Sequence, residues 1–425
     1  MDIKKIIEKK QQTLPLNEEE INYVINNYLN NNISDEEMTL FLKVICKYDM
    51  NDDETFLLTK AMLNTGYRLD LSQISNNIVD KHSTGGIGDN TTLIILPIMA
   101  ALGIKMAKMS GRGLGFTGGT ADKVESIPGF KVNLTESEFL NQLKDFGIVL
   151  ATTNKSLAPA DKKIYALRDV TNTVSSIPLI VSSIMSKKLA TNSNKIVFDV
   201  KVGRGALIKD FNSGLLLASK LVKISKRFGK EAQALITNMD YPLGNKIGNS
   251  LEITEALDIL SLKKINNLSS VAFILASLLV SLSKEIDYQI AYKMVRECVE
   301  SGQAYHKFLE FVKYQGGQID LLKRASFVLE YRAEMNGYLN DIDALKVGEV
   351  VRELGAGRKQ PTDSIDHTVG LEIVGKLGDH YQQGDVLCYV HTQNQSFDLS
   401  VLKSIFLLEQ EKKDINPLIY GLVED

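Results

Sequence analysis

Two glycine-rich stretches hold the polar side chains best suited to chemistry. The first, KHSTGGIGDNTT over residues 81–92, sets Lys81, Ser83 and Thr92 around three glycines. Glycine lets the backbone turn tightly and approach a ligand. A helix that starts at once behind such a loop offers free N–H groups and a partial positive charge. Together these suit a phosphate. The same loop also reads as a plain tight turn, and it is not a P-loop, because G-x-x-x-x-G-K-[ST] is absent. The second stretch, KMSGRGLGFTGGT over 108–120, repeats the recipe with Lys108, Ser110 and Thr120 around five glycines. Loops after adjacent strands of an open α/β sheet converge on one crevice, so the two could clasp one anion from both sides. Asp89, Asp122 and Glu125 beside them read as helix caps or as groups that orient the donors.

A third constellation follows in YALRD (165–169) and IVSSIMSKK (180–188). Ser183 and Lys187 are four apart and share a face on a helix. Arg168 and Lys187 only donate, whereas Ser183 donates and accepts. That set suits the carbonyls and ring N–H of a pyrimidine, and it equally describes a solvated basic helix face.

The elements that must carry these residues change character along the chain. Residues 1–66 read as helices. NEEE (17–20) and SDEE (34–37) are capping boxes, NDDE (51–54) starts a third helix, and Gly66 suits a C-terminal cap. Strands are then expected over 77–80, 105–109, 148–152, 195–202 and 234–239. Helices are expected over 91–102, from 120 to 127, and over 214–228 and 250–260. This alternation predicts an α/β fold, a mostly parallel sheet flanked by helices. The stretch 168–190 contains Pro178 and ends as a helix, and it fits either lobe. From about residue 344, short strands over 371–373 and 386–390 and a turn at 354–358 predict a C-terminal α+β unit.

The chain has 425 residues, 44% of them hydrophobic, enough for two or three packed units. A net charge of −3 gives no long-range field for nucleic acid, so any anion must be met by local donors. The longest apolar run, 268–282, falls short of the roughly 20 residues of a spanning helix and predicts a buried core helix. No membrane association is expected. The N-terminus carries no evident signal peptide, and Cys46, Cys298 and Cys388 lack metal or C-x-x-C spacing. Reduced thiols in a cytoplasm are the expectation.

These motifs, with SGRGLGFTGGTADKVESIPGF (110–130), LGAGR (354–358) and DSID (363–366), closely resemble the thymidine and pyrimidine-nucleoside phosphorylase family over nearly the whole chain. The resemblance implies a cytoplasmic homodimer of subunits with a small all-α domain, residues 1–66 with a returning segment at 162–192. It implies an α/β domain in two parts, 67–161 and 193–335, and the C-terminal unit at 344–425. It implies that Lys81, Ser83, Thr92, Lys108, Ser110 and Thr120 bind inorganic phosphate, the co-substrate. Arg168, Ser183 and Lys187 would bind the base, with His82 near its 2-carbonyl. No organic cofactor is implied. A structural K+ is, with Gly88, Asn90, Leu243, Lys246 and Glu255 matching its ligands. Asn90 stands where relatives often carry Thr or Lys, and its amide oxygen can still coordinate a cation. Arg204 replaces a small residue and Leu207 a phenylalanine near the base pocket, which leaves base selectivity open.

The expected reaction is phosphorolysis of thymidine, uridine or deoxyuridine to free base and pentose 1-phosphate. Arg168, Lys187 and a protonated His82 would meet the charge on the leaving pyrimidine, while phosphate attacks the anomeric carbon from the other face. An anthranilate-type phosphoribosyltransferase is the enzymatic alternative. A nucleoside- or phosphate-binding protein without catalysis is the other.

Overall fold

The computed structural model describes residues 1–113, 118–152, 157–358, 360 and 362–424. Strands β1 (Ile78–Ser83), β2 (Lys105–Ser110), β3 (Ile148–Thr152), β4 (Lys195–Val202) and β5 (Glu231–Asn238) pair in parallel. The strand Ile419–Val423 adds antiparallel to β5, so the order is Ile419–Val423, β5, β4, β1, β2, β3. Side chains alternate between the two faces of a strand, and the apolar residues obey that period. Val79, Met106, Ile148, Leu150 and Val197 enter one core, whereas Ile78, Ala107, Val149, Ile196 and Phe198 enter the other. Both faces must therefore be covered, which is how a parallel sheet is stabilised.

Helices provide that cover. The N-terminal ones are α1 (Ile3–Gln11), α2 (Glu18–Leu29), α3 (Asp35–Tyr48) and α4 (Asp52–Asn64). The capping boxes expected at Asn17, Ser34 and Asn51 are all formed. Between strands lie α5 (Thr91–Ala101), α6 (Thr120–Glu125), α7 (Glu136–Asp145), α8 (Pro159–Val170), α9 (Ile177–Ala190) and α10 (Phe211–Arg227), followed by α11 (Asn249–Leu260) and α12 (Asn267–Lys284). Pro178 sits in the first turn of α9, where its missing N–H breaks no helical bond. A separate apolar cluster joins the N-terminal helices to Ala160 and Ile164 of α8 and Leu179 of α9. The segment 159–179 thus packs with the helical lobe, while the later turns of α9 pack on the sheet through Met185 and Leu189. By length and composition α12 could cross a membrane, but its apolar face, Leu268 to Val280, is buried in the first core.

The C-terminal region forms two small antiparallel sheets. One joins Lys246–Ile247, Gly370–Ile373, Val386–Thr392 and Phe327–Arg332, the other His380–Tyr381, Gly337–Ile342 and Phe406–Glu409. The expected turn at 354–358 is a wide π-type turn over Arg352–Ala356, broken at Gly355 with φ +108°.

The topology places the site. From β1 the chain moves through β2 and β3 to one side, then returns to lay β4 and β5 on the other. The order reverses between β1 and β4, and the crevice at the carboxyl ends of strands at such a switch point is where open α/β sheets hold ligands. β1 and β2 run past their expected ends, so Lys81, His82, Ser83 and Ser110 lie in strands, with His82 paired to Phe198 and Ser83 to Asp199.

Candidate active site

The crevice between β1 and β4 is lined by buried charges. Lys81, 1% exposed, donates to Thr91 Oγ (2.6 Å) and lies 3.9 Å from Asp89 and 3.6 Å from Asp199. Lys201 Nζ is 2.8 Å from Asp199, whose other oxygen accepts from Thr237 Oγ at 2.7 Å. Asp89 accepts from Ser83 Oγ (2.5 Å) and Thr91 Oγ (2.6 Å). Lys123 reaches the Asp89 carbonyl (2.7 Å) and the Glu252 carboxylate (2.6 Å). Lys108 donates to the Lys81 carbonyl (2.5 Å), and Lys188 crosses from α9 to Asp80 at 2.6 Å.

Lysines 81, 108, 123, 188 and 201 outnumber the carboxylates of Asp80, Asp89, Asp199 and Glu252. Unbalanced buried charge is costly, and perturbed titrations mark where it gathers. Burial, then Lys188, pushes the Lys108 ammonium well below the ordinary lysine range. Burial raises the Asp89 carboxyl, but Lys81, Lys201 and Lys123 outweigh it and hold it well below the carboxylate range. An anion in this crevice would supply the missing negative charge.

Of the expected phosphate residues, Lys81, Ser83 and Lys108 join this one hydrogen-bonded network. Thr92 is buried in the first turn of α5, Ser110 ends β2, and Thr120 opens α6. Residues 114–117 of the second loop lie outside the described residues. His82 departs from expectation. Burial, then Lys188, Lys108, Lys187 and Lys81, drives its pKa well below the ordinary histidine value. That shift favours a neutral imidazole, with a single N–H to donate, over the protonated form expected from the sequence.

On the helical side, Lys187 Nζ donates to Ser183 Oγ (2.9 Å) and Asp161 (2.5 Å), so α9 brings these two residues together. The Lys187 side chain remains 32% exposed, which leaves it open to a ligand. Arg168 is arranged differently. The residue is 2% exposed, and its guanidinium donates to the carbonyls of Thr173 (3.2 Å), Leu179 (3.0 Å) and Val174 (2.9 Å). It ties the loop between α8 and α9 in this arrangement rather than standing free beside Lys187.

The five expected cation ligands also fall into one neighbourhood. Leu243 N and Gly244 N donate to the Ile87 and Gly88 carbonyls (3.0 and 3.1 Å), and Glu255 accepts from Asn245 N (2.8 Å) and Lys246 N (3.2 Å). A Cβ on Gly244 would meet Glu255 Oε2 at 2.5 Å and the Gly88 oxygen at 2.9 Å, so those two oxygens converge. Asn90 Oδ1 is buried without a hydrogen-bond partner among the described residues. Burial raises the Glu255 carboxyl, a sign of too little positive charge nearby. The Lys246 ammonium itself turns away to Asp258 (2.8 Å). Oxygen donors of this kind suit a hard cation.

Two substitutions singled out by the sequence resolve simply. Arg204 points into the C-terminal unit, bidentate to Asp341 (2.6 and 2.7 Å) and 3.2 Å from Asp343. It clamps two units together. Leu207 is 39% exposed. Sequence reasoning missed the Asp199–Lys201 pair, because a DVKV strand gives no sign that its charges face a crevice.

Residues 4–66 match the helical bundle domain of a glycosyl transferase family, and 75–305 match its a/b domain. Residues 338–405 match the pyrimidine nucleoside phosphorylase C-terminal domain. The chain is 41% identical, over 99% of both chains, to a pyrimidine-nucleoside phosphorylase of Staphylococcus haemolyticus. It is 42% identical, over 94% of both, to one of Staphylococcus aureus. The chain thus belongs to the pyrimidine-nucleoside phosphorylase family. The fold is also shared with an anthranilate phosphoribosyltransferase from Thermus thermophilus, at a TM-score of 0.61 and 14% identity, over 74% of this chain and 99% of that one.

Proposed function

We propose that the chain catalyses phosphorolysis of pyrimidine nucleosides, with inorganic phosphate held at the β1/β4 crevice and the base held by α9. The observation that carries this reading is the cluster of five buried lysines around four carboxylates, in which Lys108 is held back from its charged form until a small anion arrives. Phosphate attacks the anomeric carbon as the glycosidic bond stretches. Lys187, with Ser183 beside it, meets the charge that grows on the pyrimidine carbonyls, and neutral His82 donates an N–H there. Arg168 joins them by exchanging a carbonyl partner for the base. Charge that develops against fixed donors in a dry site is stabilised far more than in water. K+ held by Gly88, Asn90, Leu243, Lys246 and Glu255 would brace the first glycine loop against α11, a structural service only. The enzyme works as a cytoplasmic homodimer and accepts both uridine and thymidine. Incubation with either nucleoside, with and without phosphate, tests the reading. Free base should appear only when phosphate is present, and no release with phosphate would overturn it.

A further inference from the structure

The LGAGR turn is a sequence motif that this reaction leaves without a task. Its last residue, Arg358, leaves the C-terminal unit and donates to Asp122 Oδ1 at 2.8 Å. Asp122, 2% exposed in α6, accepts with its other oxygen from Gly113 N at 2.7 Å. We propose that Arg358 is a positioning residue for the second glycine loop, acting through Asp122 to set the affinity for phosphate. This rests on the phosphorylase reading above.

A glycine has no side chain with which to anchor its own backbone, and Asp122 supplies the anchor at Gly113. The hold carries across the loop, because its two ends touch. A Cβ on Gly119 would lie 2.2 Å from Gly113 N and 2.5 Å from the Arg112 carbonyl carbon. A shift of Gly113 must therefore move Gly119 and, next to it, Thr120, an expected phosphate ligand. Arg358 is itself fixed at its root. The Ala356 carbonyl accepts from Asn249 Nδ2 (3.0 Å), and the Gly355 carbonyl from Asp366 N (2.8 Å). Arg112 also donates to Asp122 Oδ1, at a longer 3.4 Å, but its main partner is Glu125. Removing the Arg358 guanidinium leaves a buried carboxylate with only the longer Arg112 contact, a state that favours rearrangement of whatever that carboxylate holds.

The test compares the full-length parent with Arg358→Met and Arg358→Lys. With thymidine as substrate, Arg358→Met should raise the KM for phosphate about tenfold, as a small displacement of binding groups does, and leave the KM for thymidine unchanged. Arg358→Lys should raise it less. Amide hydrogen exchange should quicken over residues 110–120 in Arg358→Met and stay constant over 78–92. An unchanged phosphate KM, or an equal rise in both KM values, overturns the proposal. If Arg358→Met does not fold, Arg358→Lys decides by the same split. If the parent releases no base at all, the phosphorylase reading fails. The exchange comparison then judges the brace alone, and identical exchange over 110–120 sinks it.

Discussion

The two halves of the cleft are built on opposite plans. The sheet side is assembled in advance: Lys81, Lys108, Lys123, Lys188 and Lys201 are buried and already share carboxylates and carbonyls. The helical side is only partly assembled, with Lys187 partly exposed beside a buried Ser183 while Arg168 is spent on three carbonyls. A rigid, charge-rich half suits an ion of fixed shape. On the proposed function, a half that exchanges partners would suit a planar base that enters and leaves.

The sharpest test of this contrast is Lys81→Ala, expected to lower kcat/KM roughly 10²- to 10³-fold, the usual cost of one lost transition-state donor. Phosphate titration of the same variant should show weakened binding. If phosphate binding and turnover both survive, the sheet side is not the anion site. Arg168→Ala comes next and should act in two ways. The three carbonyls lose their donor, which costs about 3 kcal/mol of stability, and the KM for the nucleoside rises while that for phosphate stays put. Thermal unfolding and steady-state kinetics read the two effects separately. A variant with parental stability would contradict the tie between α8 and α9.

The third prediction concerns pH. The Lys108 pKa is depressed well below its ordinary value in the anion-free crevice. A bound anion favours its charged form, so the pKa rises on binding and a proton is taken up. Phosphate affinity should therefore fall as pH rises through the depressed Lys108 pKa. Calorimetry in buffers of different ionisation enthalpy reads that uptake, and a buffer-independent enthalpy would contradict it. A smaller effect is expected at the cation site. Exchange of K+ for tetramethylammonium should lower the unfolding midpoint slightly, through lost binding to the native state. The smallest belongs to Arg204→Ala. That partly exposed cluster is worth no more than about 1 kcal/mol, and the preference between uridine and thymidine should not change, because Arg204 faces Asp341.

Much of this was readable in advance wherever a local signal exists. Capping boxes announced α2, α3 and α4, and β3 and β4 begin and end at the expected residues. Ends were misjudged where tertiary pairing overrides local preference. β1 runs through Lys81 and His82 because both pair with β4, a partner that lies more than a hundred residues away. β5 starts three residues early, at Glu231, since it is paired with Lys195. In the site, the glycine loops were visible as composition. The charge states were not, because the burial of His82 and the four lysines that add to it depend on α9, β1 and β2 coming together. The carbonyls that occupy Arg168 were equally hidden, since any main chain can supply an acceptor and no residue type reports it.

Left to itself, β5 would present a bare row of amides and carbonyls, and Ile419–Val423 closes that row. An open, flat, apolar border is a template on which other chains can stack. The border passes instead to Ile419–Val423, five residues long where β5 has eight, and a short edge strand is a poorer template for stacking.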